Sequence, residues 1–449
     1  MGLGRGWVGE GRDEELAEAR KQHKTGTEAE MAPWKLAGVH RCVTLLCLAA
    51  ADALSVVTPS PSRVGGSAEI QAAPLQLLST PPHVLREHFG WQEVSDKSDK
   101  AAAVWGALRK GLDVLSPLEC ASTKYVSPRL NRMLAEEGVC APISPAVQHS
   151  STSDDGTQKL LIRLEDGLSV ECVIIPMLGG KHTSLCVSSQ VGCSRACAFC
   201  STGTMGLIRS LTTEEILAQV WTALRVVRER KLPKLVNVVF MGMGEPLNNF
   251  DAVSAAVHQL VDQQAFAFSR RNVCVSTVGP NPAQIAKMGT LPCRLAWSVH
   301  AADDSLRKLL VPTTRDSMEA LRDAFVTALA VKPGGAKSKG LLVELALMRG
   351  INDQLVHAEQ LAHLLHPFGR SEVLVNLIPY NENGLSVGGE LIRQSEQEDI
   401  YAFQRALWSK GVLCTVRATR GEQERSACGQ LATEVAEGAR RRRAAKIDA

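Results

Sequence analysis

From about residue 160 the chain alternates short apolar runs with stretches of helical periodicity, and this rhythm predicts its architecture. The strand-like runs are Leu160–Leu164, Glu171–Ile175, Ser184–Ser189, Leu235–Met241, Asn272–Thr277, Arg294–Val299, Leu341–Leu347, Glu372–Ile378 and Leu413–Arg417. The clearest helix between them spans 213–231. Thr212 and Glu215 have capping-box spacing there, and Ile216, Val220, Trp221, Leu224 and Val227 form one face. Repeated strand–helix units predict an α/β fold with a parallel sheet, open or closed into a barrel, and functional groups at the C-terminal strand ends. Upstream, Ala101, Val104, Trp105, Leu108 and Leu112 recur at helical spacing, and Leu130, Met133 and Leu134 mark a later amphipathic turn. Residues 81–150 are therefore expected to form a small N-terminal helical domain ahead of a core at 151–434.

The first 80 residues lack such patterning and are set apart from the fold. Residues 1–30 are Gly-rich and of mixed charge. Met31 then opens a stretch in which Lys35, His40 and Arg41 precede an apolar run from Cys42 to about Val57, with Ala49, Ala50, Ala51 and Ala53 near its end. This is the pattern of a signal-type leader, and at roughly 15 residues the run is shorter than the ~20 a membrane span needs. A Ser- and Pro-rich segment follows, with Arg63 and no acid until Glu69. Import into a plastid or another organelle is one expectation; a cytoplasmic protein whose leader is never made is the other. At the far end, residues 435–449 read as a basic tail containing Arg440–Arg443 and Lys446, suited to salt-sensitive contact with phosphates or to plain solvation.

At 449 residues, 45% hydrophobic and 22% charged, the chain can bury a large core, and a net charge of +3 neither demands nor excludes a nucleic-acid partner. Thirteen cysteines are a high and odd count, and a chain this size does not need them as staples. Three of them, Cys193, Cys197 and Cys200, are spaced C-x3-C-x2-C just after the strand at Ser184–Ser189, where an active-site loop belongs. Three thiolates hold three irons of a cubane and leave the fourth open to substrate. A zinc knuckle or a ferredoxin fragment shares the spacing and stays open at this point. The strand at Leu235–Met241 ends in Met-Gly-Met-Gly-Glu-Pro, where glycines allow close backbone approach to a ligand and Glu245 can accept hydrogen bonds from an ammonium group. Ser276, Ser298 and His300 also sit at strand ends; each alone would read as a turn or cap residue.

Taken in order, the runs LCVSSQVGCSRACAFCSTGTMGLIRSLTTEEI, FMGMGEPLNN, VSTVGP, WSVHAADDSLRKLLVP, RGIND, VNLIPYN and TRGEQERSACGQL resemble the radical S-adenosylmethionine (SAM) adenine-C2 RNA methyltransferases, the RlmN side of the RlmN/Cfr family, across roughly residues 81–434. The resemblance implies a partial (β/α)6 barrel. It also implies a 4Fe–4S cluster on Cys193, Cys197 and Cys200, and SAM contacts from Gly244, Glu245, Ser276, Ser298, His300 and Asn381. By the same resemblance Cys428 is first methylated by SAM, a second SAM yields the radical that activates that methyl group, Glu171 takes the C2 proton, and Cys186 releases the product through a disulfide with Cys428. Without the resemblance, Cys186 would read as a small core residue and Glu171 as a strand-end charge.

The implied substrate is an adenine of large-subunit, 23S-type rRNA, and of tRNA, unstacked to reach the barrel mouth and read mainly by shape and backbone. Lys97, Lys100, Arg109 and Lys110 give the helical domain a mildly basic face that serves either RNA docking or solvation. An electron donor is required, a monomer is expected, and no stable membrane association is. Departures from the family pattern are a two-residue insertion within Met177–His182, the run VPTTRD at 311–316, and Gln423 and Arg425 near Cys428. Cys42, Cys47, Cys120, Cys140, Cys172, Cys274, Cys293 and Cys414 have no motif context and read as core or incidental. The alternatives are methylation at adenine C8, a non-enzymatic zinc-bearing RNA-binding protein, and an electron-transfer protein.

Overall fold

Apolar runs of five to seven residues that are covered on both faces have one economical arrangement, a sheet with helices packed outside it. The computed structural model of the protein takes this form and describes residues 75–93, 99–121, 125–139, 147–177, 180–332, 340–369, 372–417 and 427–431. Most of the leader, the basic tail, Cys42, Cys47, Cys140, Gln423, Arg425 and the side chain of Cys120 lie outside these residues. Four helices come first: Pro82–Phe89, Lys100–Leu108, Pro117–Ala121 and Pro128–Glu136. Strands β1 (Val147–Thr152), β2 (Gln158–Arg163), β3 (Ser169–Pro176) and β4 (Thr183–Cys186) run antiparallel to one another. A small ribbon, β5 (Gln190–Gly192) with β6 (Leu207–Ser210), brackets the cysteine loop. Then follow β7 (Leu235–Phe240), β8 (Val273–Thr277), β9 (Arg294–Ser298), β10 (Leu341–Leu347) and β11 (Val373–Pro379), the short pair β12 (Ser386–Val387) and β13 (Glu390–Leu391), and β14 (Cys414–Val416).

The main sheet has ten strands in the order β1-β2-β3-β4-β7-β8-β9-β10-β11-β14, and from β4 to β14 every neighbouring pair is parallel. All nine expected strands are present. The strand missed is β1, whose sequence VQHSST has no apolar alternation; it is held at the sheet edge by its ladder to β2, with a register shift between Val147 and His149. The expected helix forms as Thr213–Glu229 with its capping box in place: Thr212 Oγ1 accepts from Glu215 N–H, and the Glu215 carboxylate accepts from Thr212 N–H. Ile216, Val220 and Trp221 are fully buried against the sheet.

Both boundaries expected near the N-terminus fall inside packed structure. Leu77 and Leu78 are buried, and Glu214 accepts from the N–H groups of Leu78 and Ser79, so residues 75–80 belong to the fold rather than to a leader. Their segment is too short to show periodicity. The helical part shares a core with the barrel: Trp105 packs edge-on against Phe266, and Trp221 Nε1 donates to the Leu112 carbonyl. Arg109, expected on a basic face, instead donates to the carbonyls of Gln263 and Ala265 and docks the helices onto the core.

Candidate active site

Strand register decides which side chains meet. In register, Cys186 pairs with Val239, Val239 with Cys274, Ser276 with Ala296, Ser298 with Glu344, Glu344 with Asn376, and Asn376 with Thr415. Residues directly opposite, or two apart on one strand, share a face. One inner face therefore carries Cys186, Cys274, Ser276, Ser298, Glu344, Asn376 and Thr415. The antiparallel strands extend it, since Val173 lies opposite Cys186 and Glu171 is two residues further along β3. Residues from β7 to β11, from the cysteine loop and from the Cys428 segment all line one open cleft. Five flat strands would span about 19 Å at ordinary strand spacing. The sheet must curl for these ends to share one cleft, as a partial barrel does.

The cysteine loop is fixed at both ends. Gly192, at φ +76°, starts it; a Cβ there would lie 1.9 Å from the Gly206 carbonyl oxygen, and that carbonyl accepts from Cys193 N–H. Further on, Ala198 N–H donates to the Leu310 carbonyl and Thr313 Oγ1 to the Arg195 carbonyl, so the VPTTRD run buttresses the loop. Cys193, Cys197 and Cys200 all line the cleft. Burial pushes each thiol up, Cys193 to about 12; neighbouring loop thiols push Cys193 and Cys197 further, and Cys428 does the same to Cys200. Among the described residues no three His, Cys, Asp or Glu side chains stand close enough to share one metal ion. A cubane puts each thiolate on a different iron and suits wider spacing.

Around this loop stand the expected SAM-binding groups. Gly244, at φ +101°, packs so closely on Gln190 that a Cβ there would lie 2.6 Å from Gln190 Cβ. Glu245 is buried; its Oε1 accepts from Thr277 Oγ1 and Leu247 N–H, and its Oε2 from Val278 N–H. Burial raises its affinity for a proton, opposed by these bonds. Ser276 and Ser298 hydroxyls meet at 3.1 Å. His300, at φ +53°, lies against Phe199, and burial with nearby Arg307 pushes its imidazole down to about 3. Its Nδ1 accepts from Ala346 N–H at 3.2 Å, which leaves the proton on Nε2 of a neutral ring. Asn381 Nδ2 donates to the Cys428 carbonyl, while its buried Oδ1 has no partner. A buried amide oxygen and paired hydroxyls with spare capacity fit a polar ligand such as the amino-acid and ribose parts of SAM.

The Cys428 segment reaches the cleft through bonds to the cysteine loop. Ser201 N–H and Asn383 Nδ2 donate to the Gly429 carbonyl, and Thr202 Oγ1 donates to the Leu431 carbonyl. Arg417, just after β14, donates through Nη1 to Cys428 Sγ at 3.5 Å and pairs with Glu344 at 3.8 Å. Cys186 is buried beside this group; burial pushes its thiol up, the Cys428 charge does the same, and Arg417 opposes both. Cys428 also acts on Cys200, so it stands within electrostatic reach of both the cysteine loop and Cys186. Among the described residues Cys186 and Glu171 are not part of the cleft lining, and Glu171 is buried in an ion pair with Lys159 at 3.3 Å. Cys172, Cys274, Cys293 and Cys414 are buried.

Sequence reasoning passed over Arg195, Arg307, Glu344, Asn383 and Arg417. Arg307, fully buried, ties β8 to β9 by donating to the carbonyls of Val278, Ser298 and Val299. Glu344 had a usable signal: a carboxylate at the centre of LLVELAL, where an apolar strand tolerates charge only toward a polar cavity.

Residues 187–354 match the family model of the radical SAM superfamily. The chain is 41% identical over 291 residues to the dual-specificity RNA methyltransferase RlmN of Oleidesulfovibrio alaskensis, covering 64% of this chain and 78% of the relative. It is 40% identical over 313 residues to the RlmN of Phenylobacterium zucineum, covering 69% and 78%. A crystal structure of a radical SAM methyltransferase from Sphaerobacter thermophilus superposes with a TM-score of 0.67 at 32% identity, covering 80% of this chain and 99% of that one. The cofactors of this superfamily are a 4Fe–4S cluster and SAM. Three converging thiols, a Gly-Glu turn at a strand end and these likenesses agree: the chain belongs to the RlmN family of radical SAM methyltransferases.

Proposed function

We propose that the protein methylates RNA at adenine C2, in large-subunit rRNA and in tRNA, by way of a methyl group carried on Cys428. The observation that carries this reading is the placement of Cys428 in the same cleft as Cys193, Cys197 and Cys200, with the Arg417 guanidinium 3.5 Å from its sulfur. Adenine C2 is not nucleophilic, so direct transfer from a sulfonium fails there, and a carrier thiol beside a radical source provides a route. When bound, the cluster and SAM supply an electron, a methyl group and a 5′-deoxyadenosyl radical, with Cys193, Cys197 and Cys200 holding the cluster.

The chain's own groups do the rest. Cys428 attacks as a sulfur nucleophile, with Arg417 steadying negative charge on that sulfur and Glu344 steadying Arg417. His300 offers a neutral Nε2–H donor to the SAM side of the cleft, and Glu245 and Asn381 offer acceptors. Glu171 takes the C2 proton, its carboxylate held ready by Lys159. Cys186 then attacks Cys428 sulfur, forming a disulfide as the sulfur–carbon bond to the base breaks; the electron pair of that bond stays on the carbon, which takes up a proton to complete the methyl group. The test is anaerobic turnover on protein-free rRNA and on tRNA, followed by mass spectrometry of the nucleosides. The reading predicts 2-methyladenosine; 8-methyladenosine as the sole product overturns it.

Among the described residues no helix is long and apolar enough to cross a membrane. In the same reading the stretch from Met31 serves as an import leader. A fluorescent fusion of residues 1–80 that stays in the cytosol removes that part.

A further inference from the structure

Arg195 lies inside the cysteine loop, between Cys193 and Cys197, and is 8% exposed. Its side chain lines the cleft, yet among the described residues Nε and Nη2 are buried without a hydrogen-bond partner. A buried guanidinium left this way is costly, because its hydration is lost and nothing replaces it. Glu245 feels its charge, but both Glu245 oxygens are already engaged by Thr277, Val278 and Leu247. The second buried cation, Arg307, is spent on three backbone carbonyls. The backbone of Arg195 is fixed on both sides: its N–H donates to Cys193 Sγ at 3.4 Å, and its carbonyl accepts from Thr313 Oγ1 at 3.0 Å. The main chain that carries the buried guanidinium is therefore fixed within the cysteine loop.

We infer that Arg195 is completed by the cluster itself: its unpaired N–H groups face the sulfurs of the iron–sulfur assembly and make that assembly easier to reduce. This rests on the reading that Cys193, Cys197 and Cys200 hold the cluster. An iron–sulfur centre bound by three thiolates gains a negative charge when it accepts an electron, and a nearby fixed cation with N–H groups aimed at sulfur stabilises the reduced form more than the oxidised one. The electron comes from an external low-potential one-electron donor, and no bond in the protein changes. Arg195 thus sets how strong that donor must be.

The test compares wild type, Arg195→Leu and Arg195→Lys, each reconstituted anaerobically as the full chain. Iron and sulfide content are measured first. The midpoint potential follows by electron paramagnetic resonance during titration with photoreduced deazaflavin, with and without SAM. The inference predicts equal iron loading and a midpoint in Arg195→Leu lowered by at least tenfold in the reduction equilibrium, about 59 mV for one electron. Arg195→Lys, which keeps the charge and loses the fork, should fall between. Where Arg195→Leu fails to load, the Lys variant decides on the same criterion. An unchanged midpoint in loaded variants overturns the inference, as does an unchanged midpoint with weakened SAM binding, which would give the guanidinium to the SAM carboxylate. Wild type that takes up no iron overturns instead the assignment of the three cysteines.

Discussion

Cys193, Cys197 and Cys200 share one loop of eight residues, whereas Cys186 and Cys428 are brought together from a strand and from a segment that follows the last strand of the sheet. The loop thiols are pushed up by burial and by neighbouring thiols, so they are poor anions until metal displaces their protons. Cys428 instead has a guanidinium against its sulfur, braced by a buried carboxylate. A thiol that will be metallated can rely on the metal for its counter-charge; one that must act as a nucleophile needs a fixed cation in the protein. The difference separates two jobs that the composition lumps together as cysteine.

The largest effects should split the two sets cleanly. Cys193→Ala is expected to lose cluster iron, SAM cleavage and RNA methylation together. Cys428→Ala should keep its iron and abolish methylation alone; iron analysis beside product assay checks both. Loss of iron in Cys428→Ala would merge the two regions into one.

Gly192→Ala tests whether the loop's seat is as tight as described. With a Cβ aimed at the Gly206 carbonyl and φ at +76°, it should destabilise the protein by about 3 kcal/mol and lower iron retention, read by denaturant unfolding and iron content. Arg417→Met should leave iron intact and slow methylation of Cys428. A hydrogen bond to a charged group is worth about 1.5–3 kcal/mol, or roughly ten- to a hundredfold in rate. Arg417→Lys should recover part of it. Equal methylation rates in Arg417→Met would erase the contrast drawn above.

The smallest effect concerns acid stability. His300 titrates near 6.5 in an unfolded chain and about 3 in the fold, lowered by burial and then by Arg307. Between those values the unfolded chain binds a proton the fold does not, so stability falls as pH drops, by up to about 1.4 kcal/mol per pH unit. Above pH 7 the group contributes no slope. His300→Gln does not titrate and should show a shallower loss of stability from pH 6.5 to 4.5 in denaturant midpoints.

The barrel was legible in the sequence because each central strand is a mainly apolar run bounded by turn residues. Strand β1 was not, since an edge strand is held by its ladder and needs no apolar face. The cluster loop was legible because its three ligands are local. Cys186 and Glu171 were found only through family resemblance: their shared face follows from the register of β3 against β4, which no local pattern encodes. Arg417 and Asn383 were invisible for the same reason, since each acts on a segment brought near only when the sheet is complete. Arg109 leaves the expected basic face for a different reason: a long cationic side chain can spend its donors on carbonyls of a packed neighbour as readily as on a phosphate.

The central claim is that the methyl group resides on Cys428 before it reaches RNA. Its most direct test is anaerobic incubation of the reconstituted enzyme with methyl-deuterated SAM, peptide mass spectrometry, and then a chase with RNA and unlabelled SAM. The account predicts label on the Cys428 peptide that is lost as deuterated 2-methyladenosine appears in the RNA. Product formed with no label ever on Cys428, or at an undiminished rate in Cys428→Ala, would contradict it.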